Sequence, residues 1–278
     1  MGFLKACHNL DQIGRKTVTM KYPALICAAL LLSTTAQARE AQRYRDCVDE
    51  ALNNPVETFV VANSWRDEGG GVPAEHCLAL VLTVLERYEP AARQLELVAK
   101  HLKSGSGVNP FTMNNTPELQ ASLHAQAGNA WLLAGRGGEA FDAFSNALRE
   151  AGANADGSDE ILIDRARASM LMEKPDTAIR DLDQAQLMAA KNPLIYLFRA
   201  AARRKLEDLP AAKADIDTAL KLDPKSPDIR LEAGNIASAQ GEMDDARRYW
   251  LDTTRLSEEG PAVEAARTNL ANLDINQE

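Results

Sequence analysis

The segments TAIRDLDQAQ (177–186), AAKADIDTAL (211–220) and DARRYWLDTT (245–254) share one register. It places Ala178, Ala212 and Ala246 at one constant interval. Four residues after each alanine stands a bulky apolar group: Leu182, Ile216 and Trp250. Seven after it stands a small one: Ala185, Ala219 and Thr253. Offsets of four and seven fall on one face of an α-helix. Twelve residues before each alanine is another small residue: Ala166, Ala200 and Gly234. Small residues on facing helices let the backbones approach, and the bulky group fills the space beside them. A fixed period of about 34 residues is the signature of a helix–turn–helix solenoid. No single helix pair buries such a face alone, so stability is shared along the stack. The fold class is therefore all-α.

The segment AGNAWLLAGRGGEAFDAFSNALRE extends the pattern with Gly128, Trp131, Ala140, Phe144 and Ala147. It resembles the tetratricopeptide repeat (TPR) family, whose pattern is W-x2-L-G-x2-Y, then A-x3-F, then P. Later repeats keep the small, alanine and bulky slots. They lose the large first-helix aromatic, where Ser169, Arg203 and Ala237 stand, and only Pro224 keeps the terminal proline. The resemblance implies a right-handed superhelical solenoid with four TPR repeats over 118–260. Ala79, Ala91, Leu95 and Val98 repeat the slots upstream. Residues 39–102 thus read as degenerate N-terminal hairpins. The step from Ala91 to Ala140 exceeds one period. The excess maps to a Gly-, Ser-, Asn- and Pro-rich loop at 103–117 that carries Phe111 and Met113. The step from Ala140 to Ala178 is also long, and its smaller excess falls in GANADGSD (152–159). Residues 261–278 read as a capping helix, AVEAARTNLANL (262–273), and a tail.

Residues 1–38 read as a leader. Met20-Lys21 precedes the apolar run Pro23–Leu32, and Ala36-x-Ala38 fits a signal-peptidase site with the mature chain starting near Arg39. Met20 is then the candidate true start. The run spans about ten residues, short of the ~20 that cross a bilayer. Export to the periplasm is the expectation, with no stable membrane anchor after cleavage. Beyond the leader stand two cysteines, Cys47 and Cys77. An even count in an exported chain fits a disulfide. It would close a loop of about 30 residues and contribute ~3 kcal/mol on the chain-entropy model. Two buried free thiols, or half a metal site with His76, are the other readings.

The formal net charge is −9, and −12 without the first 38 residues. An acidic surface argues against nucleic acid as partner, though acid also simply keeps a protein soluble. His8, His76, His101 and His124 make no H-E-x-x-H pair, and no phosphate loop or nucleophile elbow is present. The expectation is no enzyme, no cofactor and no metal.

The resemblance implies that the first helix of each repeat lines a concave surface. One inward slot holds Asn129, Arg167, Ala201 and Asn235; another holds Ala125, Ile163, Leu197 and Leu231. Of the carboxylate clamp carried by chaperone-binding relatives, only Asn129 has a match. Candidate groove residues are Asn129, Arg167, Leu197, Phe198, Arg204, Leu231 and Asn235. For each, the plainer reading is repeat packing or solvation; for Arg167 and Arg204 it is solvation or an ion pair within the helix. The function expected is a non-catalytic protein- or peptide-binding scaffold. The alternative is a structural accessory subunit of an envelope complex, bound through its outer face or its ends.

Overall fold

The computed structural model describes residues 23–106, 114–152 and 155–275, with side chains from residue 38. The leader residues 1–22, the loop residues Phe111 and Met113, and the end of the tail at 276–278 lie outside the described residues. The described residues form helices α1 (Pro23–Asn53), α2 (Pro55–Asp67), α3 (Gly71–Val84), α4 (Tyr88–Ser104), α5 (Pro117–Leu133), α6 (Gly137–Ala151), α7 (Ser158–Leu171), α8 (Pro175–Met188), α9 (Pro193–Lys205), α10 (Leu209–Leu222), α11 (Pro227–Ala239), α12 (Met243–Leu256) and α13 (Pro261–Ile275). Each helix contacts the next in sequence. From α5 onward, alternate helices α5, α7, α9 and α11 also touch. That is the stacking of an all-α solenoid.

Local chemistry sets the helix starts. Pro55, Pro117, Pro175, Pro193 and Pro227 open their helices, where a missing N–H costs nothing. Thr116, Asn192, Asp208 and Ser226 accept from backbone N–H groups one turn or less ahead. The turn within each pair contains one left-handed residue five positions before the register alanine: Glu86, Gly135, Glu173, Glu207 and Gly241. Glycine adopts that conformation freely, and the three glutamates are held in it by their neighbours.

The slots pack as their spacing predicts. Ala79, Ala91, Ala140, Ala166, Ala178, Ala200, Ala212 and Ala246 are all fully buried. A Cβ on Gly128 would lie 2.6 Å from the Phe144 ring, and one on Gly234 would lie 2.5 Å from the Trp250 ring. Where the first-helix slot is alanine, the facing group is aliphatic: Leu95, Leu182 or Ile216. Glycine stands where the bulky slot is aromatic, and alanine where it is aliphatic.

One boundary differs from expectation. The first helix runs from Pro23 to Asn53, across the junction near Arg39 expected to begin the mature chain. No glycine or proline interrupts residues 24–53, and alanine and leucine are strong helix formers. Among the described residues, no helix is long and apolar enough to cross a membrane.

Candidate functional site

The first helices α5, α7 and α9 line a groove of about 480 Å³. Its walls are apolar: Leu132 and Leu133 from α5, Met170 and Leu171 from α7, and Phe198 and Ala201 from α9. Leu133 and Leu171 remain more than half exposed. Arg167, Glu173 and Lys205 supply the polar rim. Arg167 lies over the Phe198 ring at 5.7 Å and bonds Asp164 at 2.7 Å. Its charge is therefore shared with an aromatic face and one carboxylate, and the rest of it faces solvent.

A second concavity of about 520 Å³ lies between α11, α12 and the capping helix α13. Arg204, Asn235, Ser238, Asn269 and Asn272 give it a polar lining, beside Trp250 and Leu273. Here the polar groups serve one another. Arg204 makes a two-pronged ion pair with Glu232 at 2.7 and 3.1 Å. Asn235 donates to Glu232, and its carbonyl accepts from the Trp250 indole at 3.2 Å and from Asn269 at 3.0 Å. This network fastens α13 to the array.

The structure thus brings Arg167 and Phe198 into one groove and Arg204 and Asn235 into another. Asn129 is exposed on α5 and lines neither. Leu231 is half-buried against the cluster around Trp250. Leu197 requires a correction: it is only 6% exposed and belongs to the core, as does Ile163. Leu197 stands three residues before the buried Ala200 and so shares its helix face. One residue later is a rotation of about 100°, which carries Phe198 into the groove. Arg204 pairs between helices rather than within one, and Asn235 has its carbonyl and amide both engaged by the protein.

The sequence reading missed a buried charge ladder. Arg165 of α7 bonds Asp181 of α8 through two N–H groups at 2.9 and 2.7 Å. One period later, Arg199 of α9 bonds Asp215 of α10 in the same way at 2.9 and 2.8 Å. Arg199 also reaches Asp183 and Gln186 of α8, tying two repeats together. Burial disfavours the Arg199 charge, but its bonds and attraction to Asp215 and Asp183 outweigh that and hold its pKa above the ordinary arginine value. The signal was present: the two arginines stand one period apart, and so do the two aspartates.

At the other end, Cys47 of α1 lies beside Cys77 of α3, with Cα atoms 6.2 Å apart. Disulfides span about 4.4–6.8 Å between Cα atoms. Both cysteines are buried. The neighbouring His76 shares hydrogen bonds with Tyr44 at 2.7 Å and Gln126 at 3.3 Å. Its burial lowers its pKa, against the raising effect of the Gln126 bond. Among the described residues, no three His, Cys, Asp or Glu side chains are grouped as a metal site requires.

Stacked helix pairs with a left-handed turn residue, a small residue facing a bulky one and a groove lined by first helices define a tetratricopeptide-repeat fold. Solved structures agree. The chain is similar to Pseudomonas aeruginosa pilF, with 15% identity and a TM-score of 0.57, over 85% of this chain and 98% of that one. It is also similar to TTC0263, a thermophilic TPR protein from Thermus thermophilus, with 16% identity and a TM-score of 0.55, over 73% of this chain and 99% of that one. At these identities the likeness establishes the fold alone. No family model and no curated protein sequence matches the chain.

Proposed function

We propose that this protein is a non-catalytic scaffold that binds a protein or peptide partner in the groove of α5, α7 and α9. The observation that carries the reading is the apolar wall of Leu133 and Leu171, both more than half exposed, and the partly buried Phe198, beside the polar rim of Arg167, Glu173 and Lys205. Apolar side chains of an extended or helical peptide suit the wall, and its acidic groups or carbonyl oxygens suit the rim. The test is cross-linking in living cells through a C-terminal tag, followed by identification of what co-purifies. Phe198→Asp with Arg167→Ala is expected to reduce capture of the partner at least tenfold while helix content stays unchanged. An unchanged partner list would move binding to the outer face or the ends, and the accessory-subunit reading would replace this one.

The compartment we infer is the periplasm, reached through the leader at 1–38. The proximity of Cys47 and Cys77 supports an oxidising compartment, because disulfides persist there and are rare in the cytosol. Thiol labelling without reductant is expected to find neither cysteine reactive in protein from the periplasmic fraction. Labelling of both after denaturation, still without reductant, would remove the bridge and with it this support for export. Reducing the bridge is expected to lower stability by about 2–4 kcal/mol, read as an earlier loss of helix signal in urea.

A further inference from the structure

The inner face of the solenoid continues past α9. First helices α5, α7, α9 and α11 touch in turn, and α11 touches α13. The last turn of α9 serves both concavities: Lys205 lines the first and its neighbour Arg204 the second. The two halves of this face differ in chemistry. The first is an apolar wall whose rim charges stand in exposed pairs, Lys205 with Glu173 and Arg167 with Asp164. The second is lined by amides and a hydroxyl, and Arg204 is the one charged group among the described residues that line it.

That one charge is already balanced. Nε and Nη2 of Arg204 hold the two oxygens of Glu232, which is only 7% exposed. The lining nevertheless keeps hydrogen-bonding capacity to spare. Arg204 Nη1 has no partner among the described residues. Asn272 is exposed on α13 and makes no hydrogen bond to a described residue. Asn269 donates its amide N–H to Asn235 and keeps its own carbonyl oxygen. Ser238 Oγ reaches only the Met243 sulfur, at 3.9 Å. Donors and acceptors are both on offer, with no net charge.

We propose, on the reading that the groove of α5, α7 and α9 binds a peptide, that the same peptide continues into this second concavity and that its segment there is uncharged and not a chain end. Side-chain amides such as Asn272 both donate and accept, so main-chain amides or Asn, Gln and Ser side chains of the peptide suit the lining. A carboxylate, on a side chain or at a chain end, would find Arg204 already balanced and would stand close to the acid that balances it. A lysine or arginine would meet an arginine and no carboxylate in the lining. Both arrangements lack electrostatic complementarity.

The probe is a random library of peptides of about 12 residues, up to about 40 Å long when extended, displayed on phage and selected on the full chain. Enriched peptides are expected to carry a short apolar block beside a stretch rich in Asn, Gln and Ser. One of them is then synthesised with that stretch unchanged, or with an aspartate or a lysine placed in it. Either charge is expected to weaken binding at least tenfold, and amidating the peptide's C-terminus is expected to change nothing. Asn272→Ala removes an exposed side chain and should weaken the uncharged peptide about threefold, the worth of one hydrogen bond, with helix content unchanged. Glu232→Gln releases the charge of Arg204, so the aspartate peptide should bind it at least tenfold more tightly than it binds the parent. Unfolding cannot produce such a gain. Phe198→Asp should weaken every peptide, because it strikes the apolar wall. Charged peptides that bind the parent as tightly as the uncharged one would overturn the proposal and leave the groove reading standing. So would a loss of binding on amidation, or no gain in Glu232→Gln. A library that yields no binder, or binders indifferent to Phe198→Asp, would overturn both.

Discussion

Asp215→Ala is expected to lower stability by about 3 kcal/mol, the range in which breaking one half of a buried ion pair falls. Asp215 and Arg199 are each only 7% exposed at the side chain. The aspartate holds both Arg199 and Arg203. Removing it leaves Arg199 buried and short of two hydrogen bonds, while Asp183 and Gln186 still hold its other side. The double variant Arg199→Met with Asp215→Leu is expected to recover to within about 1 kcal/mol of the parent, since apolar groups of similar volume replace such pairs without penalty. Arg203 is one-quarter exposed and can turn to water. The measurement is urea unfolding followed by helix signal. A single variant as stable as the parent would show that the ladder is not holding α9 to α10.

Gly128→Ala is expected to be destabilising by about 1 kcal/mol, although alanine is the better helix former. The new methyl would sit 2.6 Å from the Phe144 ring. Overpacking a filled interior costs about 1–3 kcal/mol, against about 1 kcal/mol that alanine gains over glycine within a helix. Adding Phe144→Leu restores the pairing found at Ala166 with Leu182, so the double variant should lose less than the two single losses combined. The double-mutant cycle is expected to return a coupling of about 1 kcal/mol or more. Strict additivity would mean that the small and bulky slots do not sense each other.

The same two examples mark what could be read from the chain beforehand. The register of small, alanine and bulky slots was legible, because burial of apolar groups imposes a spacing that survives in every repeat. The Arg165–Asp181 and Arg199–Asp215 pairs were overlooked for a physical reason. Charged residues are seldom fully buried unless paired, and the pairing joins positions on different helices, where no helical periodicity links them. Leu197 and Phe198 show the other limit. Both are apolar neighbours in one helix, and the sequence named the two together. Which of them faces the groove depends on one residue of rotation, and that is fixed by the packing of Ala200. Asn235 was named as a groove candidate, but it lines the concavity against α13, where its side chain is engaged by Trp250, Asn269 and Glu232, a set of contacts that requires α13 to be in position.

The left-handed residues Glu173 and Glu207 also mark a unit of length. From one to the next the turn, the paired arginine, its buried aspartate and the alanine slots all recur after one period, with nothing inserted. Upstream, the steps from Ala91 to Ala140 and from Ala140 to Ala178 both exceed that unit. The stretch from α7 to α10 is therefore a place where duplication or deletion of one module would lengthen or shorten the array by a whole repeat. Reach is a property this chain can change in whole steps.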